Sequence, residues 1–425
     1  MKPYPRYKPT GLAWLPSVPE HWEVVKNRSF LHESCVLLPE TKAQLLSVSQ
    51  YDGVTPFPED RKERVETLEG YKVVDKNDLV MNIMLAWNGS SGVSAHQGVV
   101  SPAYAVFKIL DGANPRFIHY LFRSDCICDY FKAFSTGVVD SRLRLYPQVL
   151  ARMWSPLPPL TEQDRIVRYL DEKTAAIDEL VRAKEREIEL LRERKQALVS
   201  AAVTGGLDLA TERKDSGVPW IGTIPKEWKI IPLKRIAKLN PNCVLPENGK
   251  EQVLVSFAPM ECVRFDSLEH REAPLSNLNS SYSCFNEGDI AIAKVTPCFE
   301  NGNCCIMTNL ANGFCFGSSE LFCLRPNSMA DKRFLLYLFR NAAFINGGCQ
   351  TMSGTGGLKR VSSEYFRDTP IPLPPLPEQE RIVAHLDSAC SELDAAEAAI
   401  RKQIALLQEL RTRLVSDAVT GAVEV

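Results

Sequence analysis

The residues of this 425-residue chain that could do chemistry are six histidines, thirteen cysteines and a few acid–base neighbours. The histidines (His21, His32, His96, His119, His270 and His385) are dispersed. They form no H-E-x-x-H pair and suggest neither a catalytic triad nor a metal cluster. The cysteines are odd in number and irregular in spacing, with Cys126 and Cys128 one residue apart, Cys304 and Cys305 adjacent, and no C-x-x-C pair. They are expected to be reduced thiols that fill apolar space or sit on the surface, rather than zinc ligands. Asp289 and Lys294 are a carboxylate and an amine that a nuclease could use. The run G-T-G-G-L-K at 354–359 lacks the spacing of a phosphate-binding loop. No G-x-G-x-x-G follows a strand, and S-P-A-Y at 101–104 is not the Asn/Asp-Pro-Pro-aromatic motif that an amino-methylating enzyme needs. The common routes to catalysis are empty, so a non-catalytic chain with no metal of its own is expected.

Binding chemistry is better represented. Arg, Lys, Asn and Gln pair with base edges or hold phosphates, and flexible polar connections are where such residues act. In the first half the candidates are Gln50, Tyr51, Arg61, Lys62, Arg64, Trp87, Asn88, Ser90, Arg142 and Arg144. In the second half they are Asn279, Tyr282, Lys294, Thr296, Asn301, Thr355, Lys359 and Arg360. The net charge is only −2, so a nucleic-acid ligand would need local positive charge or partner subunits to supply the rest. With 45% hydrophobic and 24% charged residues the chain has the composition of a globular protein. No apolar run is long enough to span a bilayer and the first residues carry no apolar signal region, so a cytoplasmic location is expected.

The elements that must position these residues occur twice. G-L-A-W-L-P-S-V-P-E-H-W at 11–22 returns as G-V-P-W-I-G-T-I-P-K-E-W at 217–228. F-I-H-Y-L-F-R at 117–123 returns as F-L-L-Y-L-F-R at 334–340, and P-L-P-P-L-T-E-Q at 156–163 as P-L-P-P-L-P-E-Q at 372–379. The register holds to V-T-G at 203–205 and 419–421, while the intervening sequences diverge. The chain therefore divides into a first domain (1–155), a first long helix (156–206), a second domain (207–371) and a second long helix (372–425). Short strand-like runs at 45–49, 76–81, 104–108, 253–257, 286–291 and 321–325 predict β-rich mixed domains, each with one amphipathic helix at the F-x-x-Y-L-F-R block.

After each proline block, Thr161 or Pro377 and an acidic turn predict a helix start, and Gly205 or Gly421 a stop. At about 40 residues each helix would be roughly 60 Å long. Ile177, Val181, Lys184, Ile188, Leu191, Lys195 and Leu198 follow a 4-3 spacing, as do Leu393, Glu397, Ile400, Ile404, Leu407, Arg411 and Leu414. That period predicts a coiled-coil pair, antiparallel if a pseudo-two-fold axis relates the halves. Truncating Leu191 or Leu407 to Ala would cost about 2–5 kcal/mol if either were fully buried. Leu190, Leu406 and Leu410 fall off this seam and invite further helices from a partner.

The two W-x-x-[ST]-[VI]-P-x-x-W entries, P-L-P-P-L-x-E-Q helix starts and V-T-G ends resemble the specificity subunits of Type I restriction–modification systems, over essentially the whole chain. The resemblance implies an α+β fold: two target-recognition domains joined by an antiparallel coiled coil. It implies sequence-specific binding of double-stranded DNA at a bipartite, asymmetric site, within phage defence and DNA methylation. Two adenine-N6 methyltransferase subunits and motor-nuclease restriction subunits would be the partners. S-adenosylmethionine, ATP and Mg²⁺ would belong to them and no cofactor to this chain. Two other readings stay open: a protein-only coiled-coil scaffold in phage defence, and a nuclease with an unrecognised site.

Overall fold

Two prolines before an acidic turn cannot continue a strand ladder but can open a helix, and two long helices begin at such places. They run over Leu160–Gly205 and Leu376–Val419, 46 and 44 residues. The first begins one residue before Thr161, which therefore lies inside the opening turn rather than capping it. Gly206 and Gly421, at φ 77° and 73°, end the two helices in the left-handed conformation that glycine adopts without strain. The computed structural model describes residues 2–37, 43–58, 68–208, 210–243, 253–278, 281–355 and 357–425. They form two units, Met1–Glu185 with Arg401–Val425, and Arg186–Ile400.

In the first unit a hairpin, Tyr7–Leu12 with Leu15–Pro19, leads to a four-stranded antiparallel sheet. Its order is Leu31–Ser34, Tyr104–Ile109, Leu79–Asn82, Ser91–Val93. Helices Pro115–Leu121 and Asp125–Phe134 cover it, and the strand Trp154–Leu157 pairs with Glu23–Lys26 just before the long helix starts. The core gathers Trp22, Phe107, Phe117, Phe122 and Phe131 with Ile166 and Leu170 of the first long helix and Leu414, Val415, Ala418 and Val419 of the second.

The second unit repeats this plan. Its sheet runs Ala237–Leu239, Leu321–Pro326, Ile290–Ala293, Cys304–Ile306, and Lys229–Pro232 pairs with Pro370–Leu373 before the second long helix. Helices Lys332–Phe339 and Ala342–Gln350 pack beside it, and Trp228 is as buried as Trp22. It adds a second four-stranded sheet: Arg271–Pro274, Leu254–Ala258, Phe314–Gly317, Ser283–Asn286, with one parallel pairing.

One expectation is corrected here. Cys243 and Cys284 form a disulfide, so the cysteines are not all free thiols. The fold brings a turn after Ala237–Leu239 beside the edge strand Ser283–Asn286, with Cα atoms 6.1 Å apart, inside the range the bond requires. No sequence spacing could show that. Cys128, Cys304, Cys305, Cys315, Cys323 and Cys390 are buried and free, as apolar fillers are.

The long helices run antiparallel within each unit. In the second, Arg192 meets Glu397 at 2.8 Å and Lys195 meets Asp394 at 2.6 Å; in the first, Arg411 meets Asp178 at 2.9 Å. Ile188, Ile400 and Leu414 are buried, while Ile177, Val181, Leu191, Leu198, Leu393, Ile404 and Leu407 are half-buried. Two helices alone cannot enclose a seam, which keeps Leu191 and Leu407 below the full cost of a buried leucine. Leu190, Leu406 and Leu410 are exposed. Ile400→Ala is expected to lower stability by about 2–4 kcal/mol and Leu407→Ala by roughly half that; equal shifts in denaturant midpoint for the two would contradict this ranking.

Candidate DNA interface

The position of each domain on its helix is set by one buried amide. Gln163, fully buried, donates through Nε2 to the carbonyls of Pro158 (2.8 Å) and Gly112 (3.0 Å), and its Oε1 accepts from Asn114 N (2.7 Å). Gln379 does the same with Pro374 (2.9 Å), Met329 (3.0 Å) and Asp331 N (2.7 Å). Asn114 and Asp331 are in turn the N-caps of Pro115–Leu121 and Lys332–Phe339. About two turns further along the long helix, the Tyr120 hydroxyl donates to Asp171 at 2.6 Å, joined by Arg116 at 2.8 Å. Tyr337 and Arg333 hold Asp387 at 2.6 and 2.7 Å. Burial alone would raise the Asp387 carboxyl, but the bonds from Arg333 and Tyr337 outweigh it and hold it below its usual range.

Two acids near the start of the central strands are structural. Asp78 Oδ2 accepts from Asp75 N and pairs with Lys108, and Asp289 Oδ2 accepts from Asn286 N and pairs with Arg325. Both are buried. Asp289, the carboxylate a nuclease could have used, is thus a turn acid with a counterpart in the other domain. Lys294 Nζ lies over the Phe322 ring at 5.2 Å.

The candidate binding residues fall into three groups. Arg61, Lys62, Arg64 and Asn279 lie outside the described residues. A second group is spent on the fold itself. Ser90 is buried and donates to Asn88 Oδ1 at 2.7 Å; Thr296 Oγ1 donates to Gly357 O and accepts from Lys359 N. Tyr282 packs edge-on against Phe257. Trp87 is half-buried beneath Lys132 Nζ, 4.8 Å from its ring.

The third group is exposed on loops held from below. The Gln50–Tyr51 turn caps the hairpin Leu46–Ser49/Gly53–Pro56, and Tyr51 is 80% exposed. Arg123 holds it by donating to the carbonyls of Ser49, Gln50 and Tyr51, and to Ser91. Sequence reasoning gave Arg123 no role, although its place in the repeated F-x-x-Y-L-F-R block was the available signal. Asn301 is exposed after the strand Ile290–Ala293.

Arg142, Arg144, Thr355, Lys359 and Arg360 are also exposed and belong to one structural device that occurs in both domains. Thr136 pairs with Arg144, and Ser353 with Arg360, each through two backbone hydrogen bonds. The residue after each opening position is a glycine, Gly137 at φ 152° and Gly354 at φ 146°. A Cβ on either would strike the backbone carbonyl across the loop, Arg142 O or Leu358 O. Both loops are therefore closed at their bases, but they differ in length and residues. Arg360 is also bound by Glu320 at 2.6 Å, and that guanidinium holds the Glu320 carboxyl below its usual range.

Comparison with known proteins finds likenesses in sequence and in fold. Residues 277–406 match the family model described as the Type I restriction modification DNA specificity domain. The chain is 39% identical over 178 residues to the Type I restriction enzyme EcoAI specificity subunit of Escherichia coli, a match covering 40% of this chain and 30% of that relative's length. It is 22% identical to the MjaVIII specificity subunit of Methanocaldococcus jannaschii over 96% of this chain and 94% of that one. The fold matches a chain from a solved structure of the type I R-M system with a TM-score of 0.70 at 17% identity, covering 96% and 99% of the two chains.

The chain is similar to Type I specificity subunits, in sequence over part of its length and in fold over nearly all of it.

The likeness in fold extends over 96% of the chain, so both domains and both long helices lie within the matched architecture. Among the described residues no group of His, Cys, Asp and Glu could hold a metal ion, and no helix is long and apolar enough to cross a membrane.

A buried histidine contact of the first domain has no counterpart in the second. His119 Nδ1 accepts from Val93 N, and burial, then Arg123 and Arg116, push its pKa down to about 3. The corresponding residue in the second domain is Leu336. A depressed histidine favours the neutral folded form. Its stabilisation is present above the unfolded value of about 6.5 and is lost progressively as pH falls toward the folded one. The melting temperature is expected to fall between about pH 6.5 and pH 4 in the native chain. His119→Leu should flatten that slope, and an unchanged slope would remove His119 as its source.

Proposed function

We propose that this specificity subunit reads a bipartite, asymmetric site in double-stranded DNA, one half per domain. Its helices set the length of unread DNA and dock two adenine-N6 methyltransferase subunits, with motor-nuclease restriction subunits completing the assembly. The chain does no chemistry itself and works in the cytoplasm. S-adenosylmethionine, ATP and Mg²⁺ serve the partners. The observation that carries this reading is the pair of closed loops, 136–144 and 353–360, anchored alike and tipped differently. Common anchoring with unlike tips suits two readers of different sequences. The exposed Leu190, Leu406 and Leu410 support the docking of partner helices.

Basic residues on such loops would neutralise phosphates and release counterions, which makes affinity fall with salt. Alanine at Arg142, Arg144, Lys359 and Arg360 together is expected to weaken DNA binding by the assembled methyltransferase. The log–log salt slope should drop by about 1 for each phosphate that is no longer neutralised. Arg360 should matter least, because Glu320 already holds it. Affinity and slope both unchanged would take these loops off the DNA.

The whole reading is tested by deleting the gene in its host and mapping N6-methyladenine by single-molecule sequencing. Methylation should vanish from one two-part motif with an unread spacer, and exchanging residues 207–371 for those of a relative should alter only one half of the motif. A methylome with no missing motif, in a strain where the methyltransferase is expressed, would sink it.

A further inference from the structure

Val138 is 98% exposed, the most exposed large apolar side chain among the described residues. Its loop is well tied down, so looseness does not explain that exposure. Thr136 and Arg144 are joined by two backbone bonds of 3.0 Å, Arg142 N donates to Val139 O at 2.8 Å, and Leu145 N donates to Ile83 O at 2.8 Å. Leu143 and Leu145 anchor the closing strand in the protein. Asp140 is held by Lys132 at 2.9 Å, itself over the Trp87 ring. The loop is thus built to hold a β-branched hydrocarbon in water, beside two exposed arginines, Arg142 and Arg144, that have no ion-pair partner among the described residues. The matching loop of the second domain also carries an exposed apolar residue, Leu358, next to Lys359.

We infer that Val138 is a specificity-determining residue that selects a thymine by packing on its C5-methyl group in the major groove, while Arg142 and Arg144 hold the flanking phosphates. This rests on the DNA-reading function proposed above. The chemistry is that of the one apolar feature that a base edge offers in the major groove. A valine at the end of a fixed loop loses little conformational freedom on meeting it, and the adjoining cations supply the attraction to the backbone that a hydrocarbon lacks.

The test uses the full chain assembled with its methyltransferase partner and duplexes carrying its methylated motif. Each thymine of the half-site read by the first domain is replaced in turn by deoxyuridine, which removes the methyl group alone. One position should lower affinity about three- to tenfold, the effect expected of one buried methyl. Val138→Ser should bind the thymine duplex more weakly by a similar factor and lose that sensitivity, with its salt slope unchanged. Val138→Ile should retain it, and Leu358→Ser should leave this half-site's pattern intact. No sensitive position in the wild type, or a Val138→Ser assembly as sensitive as the wild type, overturns the assignment. So would a Val138→Ser change that weakens subunit assembly and not base selectivity. Failure of the parent reading looks different: the wild-type assembly would not prefer its motif over unrelated DNA.

Discussion

Each recognition domain depends on a single glutamine side chain with no access to water. An amide has two donors and a carbonyl, and a buried one is costly unless they are met. Gln163 and Gln379 meet that requirement with groups from two places at once, the proline turn that starts the long helix and the end of the segment that leads into the domain helix. The bonds can form only when helix and domain stand in one relation. Tyr120 with Asp171, and Tyr337 with Asp387, repeat the constraint about two turns later. A hydrophobic contact could slide between neighbouring packings, but directional bonds to a buried amide cannot.

With that frame held, the rest of each domain is free to vary. The central sheets share strand order and a buried turn acid, Asp78 or Asp289, whose cation differs, Lys108 or Arg325. Away from the frame, among the described residues, the second domain has an extra four-stranded sheet and a disulfide that the first lacks. The basic loops show the same division of labour at small scale. Gly137 and Gly354 close them because no side chain fits there, while Val138 and Leu358 between the anchors stand exposed.

The helices have a different economy. Their seam carries Lys195, Glu397 and Arg411 among its apolar residues, and these reach across to Asp394, Arg192 and Asp178. Exposed ion pairs of this kind contribute little stability, yet a parallel or shifted pairing would leave them without partners, so they act mainly on register and direction. The exposed leucines on the outer faces do nothing for either unit alone.

The repeat, the β-rich inserts, the helices and the seam were legible in the sequence, because proline stops, heptad spacing and paired blocks are local patterns. The buried members of the seam follow from period alone. Its half-buried members do not, since exposure depends on how many helices surround them. Gln163 and Gln379 could be seen as repeated residues, but their function could not, because their partners lie about 50 residues away. For the same reason composition alone could not separate Ser90, Asn88 and Thr296, consumed by their own turns, from Arg142, Arg144 and Lys359, left in solvent. Nor could it pair Cys243 with Cys284 or set Val138 at a loop tip. The sequence by itself determined a duplicated frame and its periods. Only the tertiary structure decided which polar side chains were already satisfied, because hydrogen bonds between distant segments leave no trace in local spacing.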